Sequence, residues 1–187
     1  MTDEALVEAI IKTNDTLLFE VLYDRFSNLV YNKCYGFAKD EDEAKDLTQD
    51  VFLKLFVKLA SFKGRSKFST WLYAFTYNHC VNYVTRDTAK KIEKQSIDSE
   101  YLENIGEDVD NDKELVSMQV EKLKQVLELI APEEKMILLL KYQDQLSIKE
   151  IATAMDLGES AVKMRLKRSK DKLVETYSKY VKDGQPI

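Results

Sequence analysis

Two neighbouring residues, His79 and Cys80, are the most obvious candidates for catalytic chemistry in this sequence. An imidazole beside a thiol could serve as the base for a cysteine nucleophile. On a helix, however, adjacent side chains point in different directions, so the imidazole could not reach the thiol. The sequence has two cysteines, Cys34 and Cys80, and one histidine, which is too few for a four-ligand zinc site or a disulfide framework. We therefore expect ordinary reduced thiols, no metal, no cofactor and no catalytic site.

Positively charged residues crowd a segment near the C-terminus, where they could bind phosphate groups. From Glu159 onward, Val162, Leu166 and Leu173 are spaced as the buried stripe of a helix. The remaining surface of that helix carries Lys163, Arg165, Lys167, Arg168, Lys170 and Lys172. A charge run of this kind is often only a solvated face, and a DNA-binding helix is the alternative. The residues that precede the helix favour the second interpretation.

Those preceding residues predict a helix-turn-helix. Ser147 and Glu150 have the spacing of a capping box, which marks a helix start. Met155-Asp156-Leu157-Gly158 predicts a tight turn, because Asp and Gly tolerate a positive φ. The basic second helix would then lie in the major groove of double-stranded DNA. There we expect base readout by Glu159, Ser160, Lys163 and Lys167, phosphate contacts from Arg165 and Arg168, and a further contact from Lys149.

The segment 127–173 that contains these signals resembles the fourth conserved region of the sigma-70 family, which are promoter-recognition subunits of bacterial RNA polymerase. The resemblance is strongest at Leu146-Ser147, Glu150-Ile151-Ala152 and Val162-Lys163-x-Arg165-Leu166. It implies that this part of the chain reads the upstream promoter element. Two positions depart from the family pattern: Asp156 stands where the turn usually has a glycine, and Gly158 where a serine is common. Neither change breaks the expected geometry, although glycine caps a helix less well than serine.

A segment in the first half of the chain, 42–54, resembles the second conserved region of sigma factors, which docks on the clamp helices of the polymerase. If this segment is helical, Asp46, Gln49, Asp50 and Leu53 recur at i, i+3, i+4 and i+7 and share one face. That face could meet a partner helix, although the two aspartates could also be merely solvated. The helix is apolar nearly all round after Asp50, which favours several covered faces.

The next segment, 62–73, is similar to the part of sigma factors that melts and reads the downstream promoter element. A separated DNA strand exposes base faces and phosphates, so its binder needs aromatic or shape-matched pockets and cations. The candidate contacts are Lys63, Arg65 and Lys67 in a glycine-containing loop and Trp71, Tyr77, Asn78, Asn82 and Arg86 on the following helix. Phe68, Leu72 and Phe75 are assigned to the core, because aromatic stripes at helical spacing are usually buried. For the helix residues, packing within the protein remains the alternative to DNA contact.

The whole sequence predicts an all-α protein of two small helical domains. Five Gly and two Pro among 187 residues leave little material for hairpins. Helical patterning covers about 16–39, 42–62 and 70–86, fades from residue 87, and resumes over about 116–180. We assign 1–86 to a region-two domain, 87–118 to a flexible acidic linker, and 119–187 to a region-four domain with a helix-turn-helix, winged-helix-like fold.

The net charge of −5 does not exclude nucleic-acid binding, because the charges are unevenly distributed. Residues 51–86 contain six Lys or Arg and no acid, whereas residues 87–118 contain ten acids and four bases. The sequence has no apolar run of about 20 residues and does not begin like a signal peptide. We therefore expect a cytoplasmic protein with positive patches on either side of an acidic segment.

The order of the two regions resembles the short sigma factors of the extracytoplasmic-function type. That resemblance implies an alternative sigma factor without enzymatic activity, which binds core RNA polymerase through its clamp helices and flap. It further implies promoter DNA and an anti-sigma factor, often membrane-bound, as partners, and no small-molecule substrate. Three alternatives stay open: a dimeric helix-turn-helix repressor or activator, a metal-dependent nuclease built on the carboxylates, and a sigma-like protein that only binds partners.

Overall fold

A computed structural model of the chain describes residues 1–94 and 120–183, and every regular element within them is helical. The predicted acidic linker lies for the most part outside the described residues. The helices are α1 (Asp3–Thr13), α2 (Thr16–Tyr35), α3 (Glu41–Lys58), α4 (Phe68–Lys94), α5 (Val120–Leu127), α6 (Pro132–Leu138), α7 (Ile148–Met155) and α8 (Glu159–Asp183). A 3₁₀ turn (Leu59–Ser61) follows α3, and a π-helical turn (Leu139–Gln143) follows α6.

The first domain contains a helix that the sequence patterning missed. Leu6, Val7 and Ile10 of α1 are buried against α2 and α4, and the hydroxyl of Thr2 accepts a hydrogen bond from the Ala5 amide. Their spacing is that of a short buried stripe, but α1 is brief and precedes the block of continuous patterning. The predicted helical patterning begins at about residue 16, so α1 is an additional helix within the predicted first domain.

The other helices of this domain start at or close to the predicted residues, and their ends differ from the prediction. Helix α2 begins after Asp15, whose carboxylate accepts a hydrogen bond from the Leu17 amide, and it ends at Tyr35 rather than near residue 39. Helix α3 begins after Asp40, whose carboxylate accepts a hydrogen bond from the Glu43 amide. Helix α4 continues to Lys94, past position 86, where its predicted length ended.

The core of the first domain is built from the aliphatic and aromatic faces of α1 to α4. Phe68 and Leu72 are fully buried, as predicted, whereas Phe75, which was also assigned to the core, is half-buried. Phe68 packs edge-on against Phe26 of α2, with ring centroids 5.4 Å apart. Cys34 and Cys80 are free, buried thiols whose sulfur atoms lie 3.7 Å apart in this core.

The second domain packs α5, α6 and α7 against the long helix α8. Pro132 occupies the first turn of α6, as its fixed φ favours, and the helix then buries Met136, Ile137 and Leu138. Its core is completed by the predicted stripe of α8, which consists of the buried residues Val162, Leu166 and Leu173. The buried face of α8 is therefore fixed, and so is the face that remains exposed.

The two domains are packed against each other, because α4 contacts both α6 and α7. Lys33 of α2 forms an ion pair with Asp144, and only 4% and 8% of their side chains are exposed. Lys135 of α6 donates a hydrogen bond to the carbonyl of Gly36 and lies 4.8 Å from the centre of the Phe37 ring. The described domains thus share a polar contact that joins distant parts of the sequence.

Candidate nucleic-acid interface

The helix-turn-helix is positioned by the capping box that the sequence predicts. The Glu150 amide donates to the Ser147 hydroxyl at 3.2 Å, and the Ser147 amide donates to the Glu150 carboxylate at 2.9 Å. The Ser147 hydroxyl also donates to the Glu150 carboxylate, at 2.8 Å. The bond from the Ser147 amide, and then the bond from its hydroxyl, lower the pKa of Glu150. The reciprocal bonds fix the start of α7, the first helix of the motif.

The turn between the two helices depends on Asp156. Its backbone is left-handed, with φ 54° and ψ 46°, and its amide donates to the Ala152 carbonyl. The family commonly has a glycine at this position, and Asp is one of the few other residues that adopt this conformation readily. Gly158 does not need a positive φ here, and a Cβ built on it would meet nothing within 4 Å. Helix α8 then begins at Glu159, as predicted.

Helix α8 exposes most of the residues predicted to meet the upstream element. Its apolar stripe points inward, and Glu159, Ser160, Lys163, Arg165 and Arg168 are exposed. Lys167 is half-buried, and Lys149 is exposed on α7. The motif therefore presents one surface rich in cations, which suits phosphate binding and base contacts in a groove.

Helix α4 carries a second exposed stripe. Trp71, Phe75, Asn78, Asn82 and Arg86 follow one another at intervals of three or four residues, so they lie along one face of the helix. Asn78, Asn82 and Arg86 are exposed, whereas Trp71 and Phe75 are half-buried and their rings stack with centroids 5.2 Å apart. This face combines aromatic surface, two amides and a cation.

The loop before α4 places three exposed cations at the start of that helix. They are Lys63, Arg65 and Lys67, and the loop turns at Gly64, which has a φ of 66°. Glu4 of α1 fixes the junction, because its carboxylate accepts a hydrogen bond from the Phe68 amide at 3.0 Å. That bond lowers the pKa of Glu4. The sequence reasoning missed Glu4, since its contact depends on α1.

Tyr77 corrects the predicted set of DNA contacts. Its side chain is fully buried, and its hydroxyl accepts a hydrogen bond from the Lys33 ammonium at 3.3 Å. Its ring also packs 5.9 Å from that of Phe37. Burial raises the pKa of Tyr77, so its hydroxyl stays protonated. Tyr77 and Asn78 are adjacent on α4, so their side chains point in different directions, and only that of Asn78 is exposed.

His79 and Cys80 contact different partners rather than each other. Lys54 and the Nδ1 atom of His79 lie 3.1 Å apart, and the imidazole is half-buried between α3 and α4. Burial, followed by the charge of Lys54, lowers the pKa of His79. Cys80 instead contacts Cys34, and that hydrogen bond together with burial raises the pKa of Cys80. Within the described parts of the chain, no group of His, Cys, Asp and Glu side chains could hold a metal ion.

A third surface lies on α3, where the four predicted docking residues are together. Asp46, Gln49, Asp50 and Leu53 are exposed and line an open groove of about 580 Å³ beside Tyr83. Leu53 is 68% exposed and Val57, one turn later, is 79% exposed. Large apolar side chains left in water beside acidic ones are typical of a surface that a partner covers.

Comparison with known families assigns the two domains. Residues 22–90 match the model of Sigma-70 region 2, and residues 121–173 match that of Sigma-70, region 4. The ECF RNA polymerase sigma-E factor of Haemophilus influenzae is 31% identical over 180 residues, which cover 91% of this chain and 93% of that protein. The chain belongs to the ECF RNA polymerase sigma factors.

Other relatives agree with that assignment. The ECF sigma-E factor of Escherichia coli K12 is 30% identical over 179 residues, covering 91% of this chain and 92% of the relative. SigW of Bacillus subtilis, another ECF sigma factor, is 27% identical over 173 residues, covering 87% and 90%. This ECF sigma factor therefore directs promoter-specific transcription initiation as an alternative sigma factor.

Solved structures share the fold of this ECF sigma factor. CnrH, solved with the cytosolic domain of CnrY, matches with a TM-score of 0.61 at 17% identity and covers 98% of this chain and 99% of that chain. RpoE of Bartonella quintana, solved with the anti-sigma factor NepR, matches with a TM-score of 0.58 at 18% identity, covering 86% and 96%. The predicted all-α fold of two sigma domains is confirmed.

In the described ranges 1–94 and 120–183, no helix is long and apolar enough to cross a bilayer.

Proposed function

We propose that this sigma factor uses three separate surfaces: α8 for the upstream element, the α4 stripe with its preceding loop for the downstream element, and α3 for core polymerase. The observation that supports this proposal most strongly is the exposed, cation-rich face of α8, whose buried stripe packs in the domain and whose preceding helix α7 begins at a complete capping box. A helix presented in this way can enter a major groove without disturbing its own domain.

On the upstream element, Glu159, Ser160, Lys163 and Lys167 would contact base edges. Arg165, Arg168 and Lys149 would contact phosphates on either side. The early residues of a recognition helix are those that reach the floor of the groove, and cations farther along it meet the backbone.

On the downstream element, the loop cations would hold the phosphates of the separated strand while α4 meets its bases. Lys63, Arg65 and Lys67 are exposed for the first task. The second would fall to Asn78 and Asn82, with Trp71 offering a ring edge and Arg86 a terminal phosphate contact. Aromatic surface and cations in sequence are the features that single-strand binders combine. Tyr77 has no part in this proposal because it is buried.

The α3 surface would hold the polymerase clamp helices through Asp46, Gln49, Asp50 and Leu53. The acidic residues would meet cations on the partner, and Leu53 would be buried at the centre of the contact. The flap would hold the second domain.

We further propose that the protein acts in the cytoplasm, has no enzymatic activity of its own, and is restrained by an anti-sigma factor. The last point is suggested by RpoE of Bartonella quintana, whose structure contains the anti-sigma factor NepR.

The three roles can be separated by measuring polymerase binding and promoter opening with the same variants. Asp46→Lys with Leu53→Ala should abolish co-purification with core polymerase. Asn78→Ala with Asn82→Ala should leave polymerase binding intact but reduce permanganate reactivity of unpaired thymines. Lys12→Ala, on the exposed surface of α1, serves as the control. Normal opening by the α4 variant, or normal polymerase binding by the α3 variant, would contradict the assigned role.

A further inference from the structure

The exposed part of the recognition helix contains a large apolar residue that lies outside the buried stripe of α8. Met164 is 54% exposed. The other exposed residues between positions 159 and 168 are Glu159, Ser160, Lys163, Arg165 and Arg168. Water contact with an apolar side chain is unfavourable, and this one interrupts a surface that is otherwise polar.

Met164 lies at the centre of the face that would meet DNA. It is one turn after Ser160 and one turn before Arg168, and it is adjacent to Lys163. The helix from Ser160 to Arg168 is about 12 Å long, which corresponds to roughly three or four base pairs. A side chain at the midpoint of that length meets base edges if its polar neighbours do.

Thymine is the base that offers an apolar partner there. In the major groove, its C5 methyl group stands among hydrogen-bond donors and acceptors on the other base edges. Methionine is unbranched and polarizable, so it adapts its shape to an irregular surface and can cover a methyl group. Contact would remove apolar surface of both groups from water.

We propose that Met164 contacts the methyl group of a thymine in the upstream element and makes this sigma factor prefer an A·T pair at that position. The inference rests on the proposed reading of the upstream element by α8. It adds a specificity-determining residue that recognises an apolar group, beside polar residues that recognise hydrogen-bonding groups.

The test is promoter binding by the reconstituted holoenzyme, on promoters in which single thymines of the upstream element are replaced by deoxyuridine. This replacement removes the methyl group and leaves every hydrogen bond. For the unmodified protein we expect a loss of about fourfold in promoter binding at one position, which is the effect of one buried methyl group. Met164→Ser should bind the two promoters equally, whereas Met164→Leu should still distinguish them.

Val181→Ser is a matched control, because Val181 is an exposed apolar residue (46%) at the far end of the same helix. It should distinguish thymine from deoxyuridine as well as the unmodified protein does. The inference is overturned if no position shows discrimination, if the upstream element has no A·T pair, or if Met164→Ser discriminates normally. Met164→Ser would also overturn it by weakening binding to both promoters by the same factor, because the preference for thymine over deoxyuridine would then remain without Met164. Absence of any promoter use would instead overturn the proposed function.

Discussion

Lys33 and Asp144 join the two domains through an ion pair whose side chains are 4% and 8% exposed. The Lys33 ammonium also lies 4.0 Å from the centre of the Tyr73 ring and 4.7 Å from that of Tyr77. Burial lowers the pKa of Lys33, and Asp144 partly offsets that effect. Because the pair spans the interface, its two charges return to water when the domains separate.

Removing one partner should therefore open the interface. Asp144→Leu leaves the Lys33 charge buried and unpaired, which costs about 3–5 kcal/mol in comparable pairs. Separation of the domains relieves this cost, so we expect a larger radius of gyration in small-angle X-ray scattering. The double variant Lys33→Met with Asp144→Leu should restore the compact form, because it leaves no unpaired charge. Lys12→Met removes an exposed ion pair with Glu8 and serves as the control. An unchanged radius for Asp144→Leu would show that the pair does not hold the domains together.

His79 offers a direct check of the electrostatics between α3 and α4. As the single histidine of the chain, it gives one imidazole signal in an NMR titration. Its pKa should lie below the ordinary value of 6.5, because burial and then Lys54 disfavour the charged ring. Lys54→Met should move the midpoint upward, and Asp50→Asn should move it downward. A midpoint at or above the value for the urea-unfolded chain would contradict this environment.

The same shift predicts a change in stability with pH. A lowered pKa means that the unfolded chain binds the proton more readily than the folded chain does. The uncharged His79 ring therefore makes its full contribution to the free energy of unfolding above pH 6.5. That contribution is lost as the pH falls from 6.5 through the folded pKa. Urea unfolding midpoints measured across this window should fall less for His79→Gln than for the unmodified protein.

Contacts to bases and phosphates should be distinguishable on α8. Arg168→Ala should weaken binding to all promoters about equally and reduce the slope of affinity against salt concentration by about one unit. Lys163→Ala should change sequence preference, with a loss of about 1–3 kcal/mol of discrimination against the wrong base at the affected base pair. Competition binding of the holoenzyme to a promoter library at several salt concentrations measures both. The reverse pattern would exchange the two roles.

The contact between Glu4 and the Phe68 amide should stabilise the start of α4. Glu4→Ala removes the acceptor of that amide, and the loss of a helix cap costs about 0.5–2 kcal/mol. Urea unfolding should show this loss, and Glu4→Gln should retain much of the stability because its side-chain oxygen can still accept. Glu8→Ala, whose partner Lys12 is exposed on the same helix, should change stability little. Equal stability of Glu4→Ala and the unmodified protein would remove Glu4 from this role.

The helix-turn-helix could be predicted because its signals are local. The capping box between Ser147 and Glu150, the turn at Asp156 and the stripe beginning at Val162 each involve residues a few positions apart. Their geometry follows from helix periodicity and side-chain chemistry, so it did not require knowledge of the tertiary structure.

The interface between the domains could not be predicted in the same way. The contact between Lys33 and Asp144 joins residues far apart in sequence, and no local rule pairs them. The assignment of Tyr77 failed for the same reason, because the residues that bury its hydroxyl come from other helices. Met164 was passed over because a lone exposed apolar residue becomes informative only when the buried face of its helix is known.

The most direct test of the central claim is in vitro transcription with bacterial core polymerase on a promoter library, sequencing RNA 5′ ends with and without this protein. We predict new start sites that share two upstream elements at a fixed spacing, and their loss in the Asp46→Lys, Leu53→Ala variant. New starts would be absent if the protein were a repressor or activator that binds duplex DNA without polymerase. That result, together with no binding to core polymerase, would contradict the account.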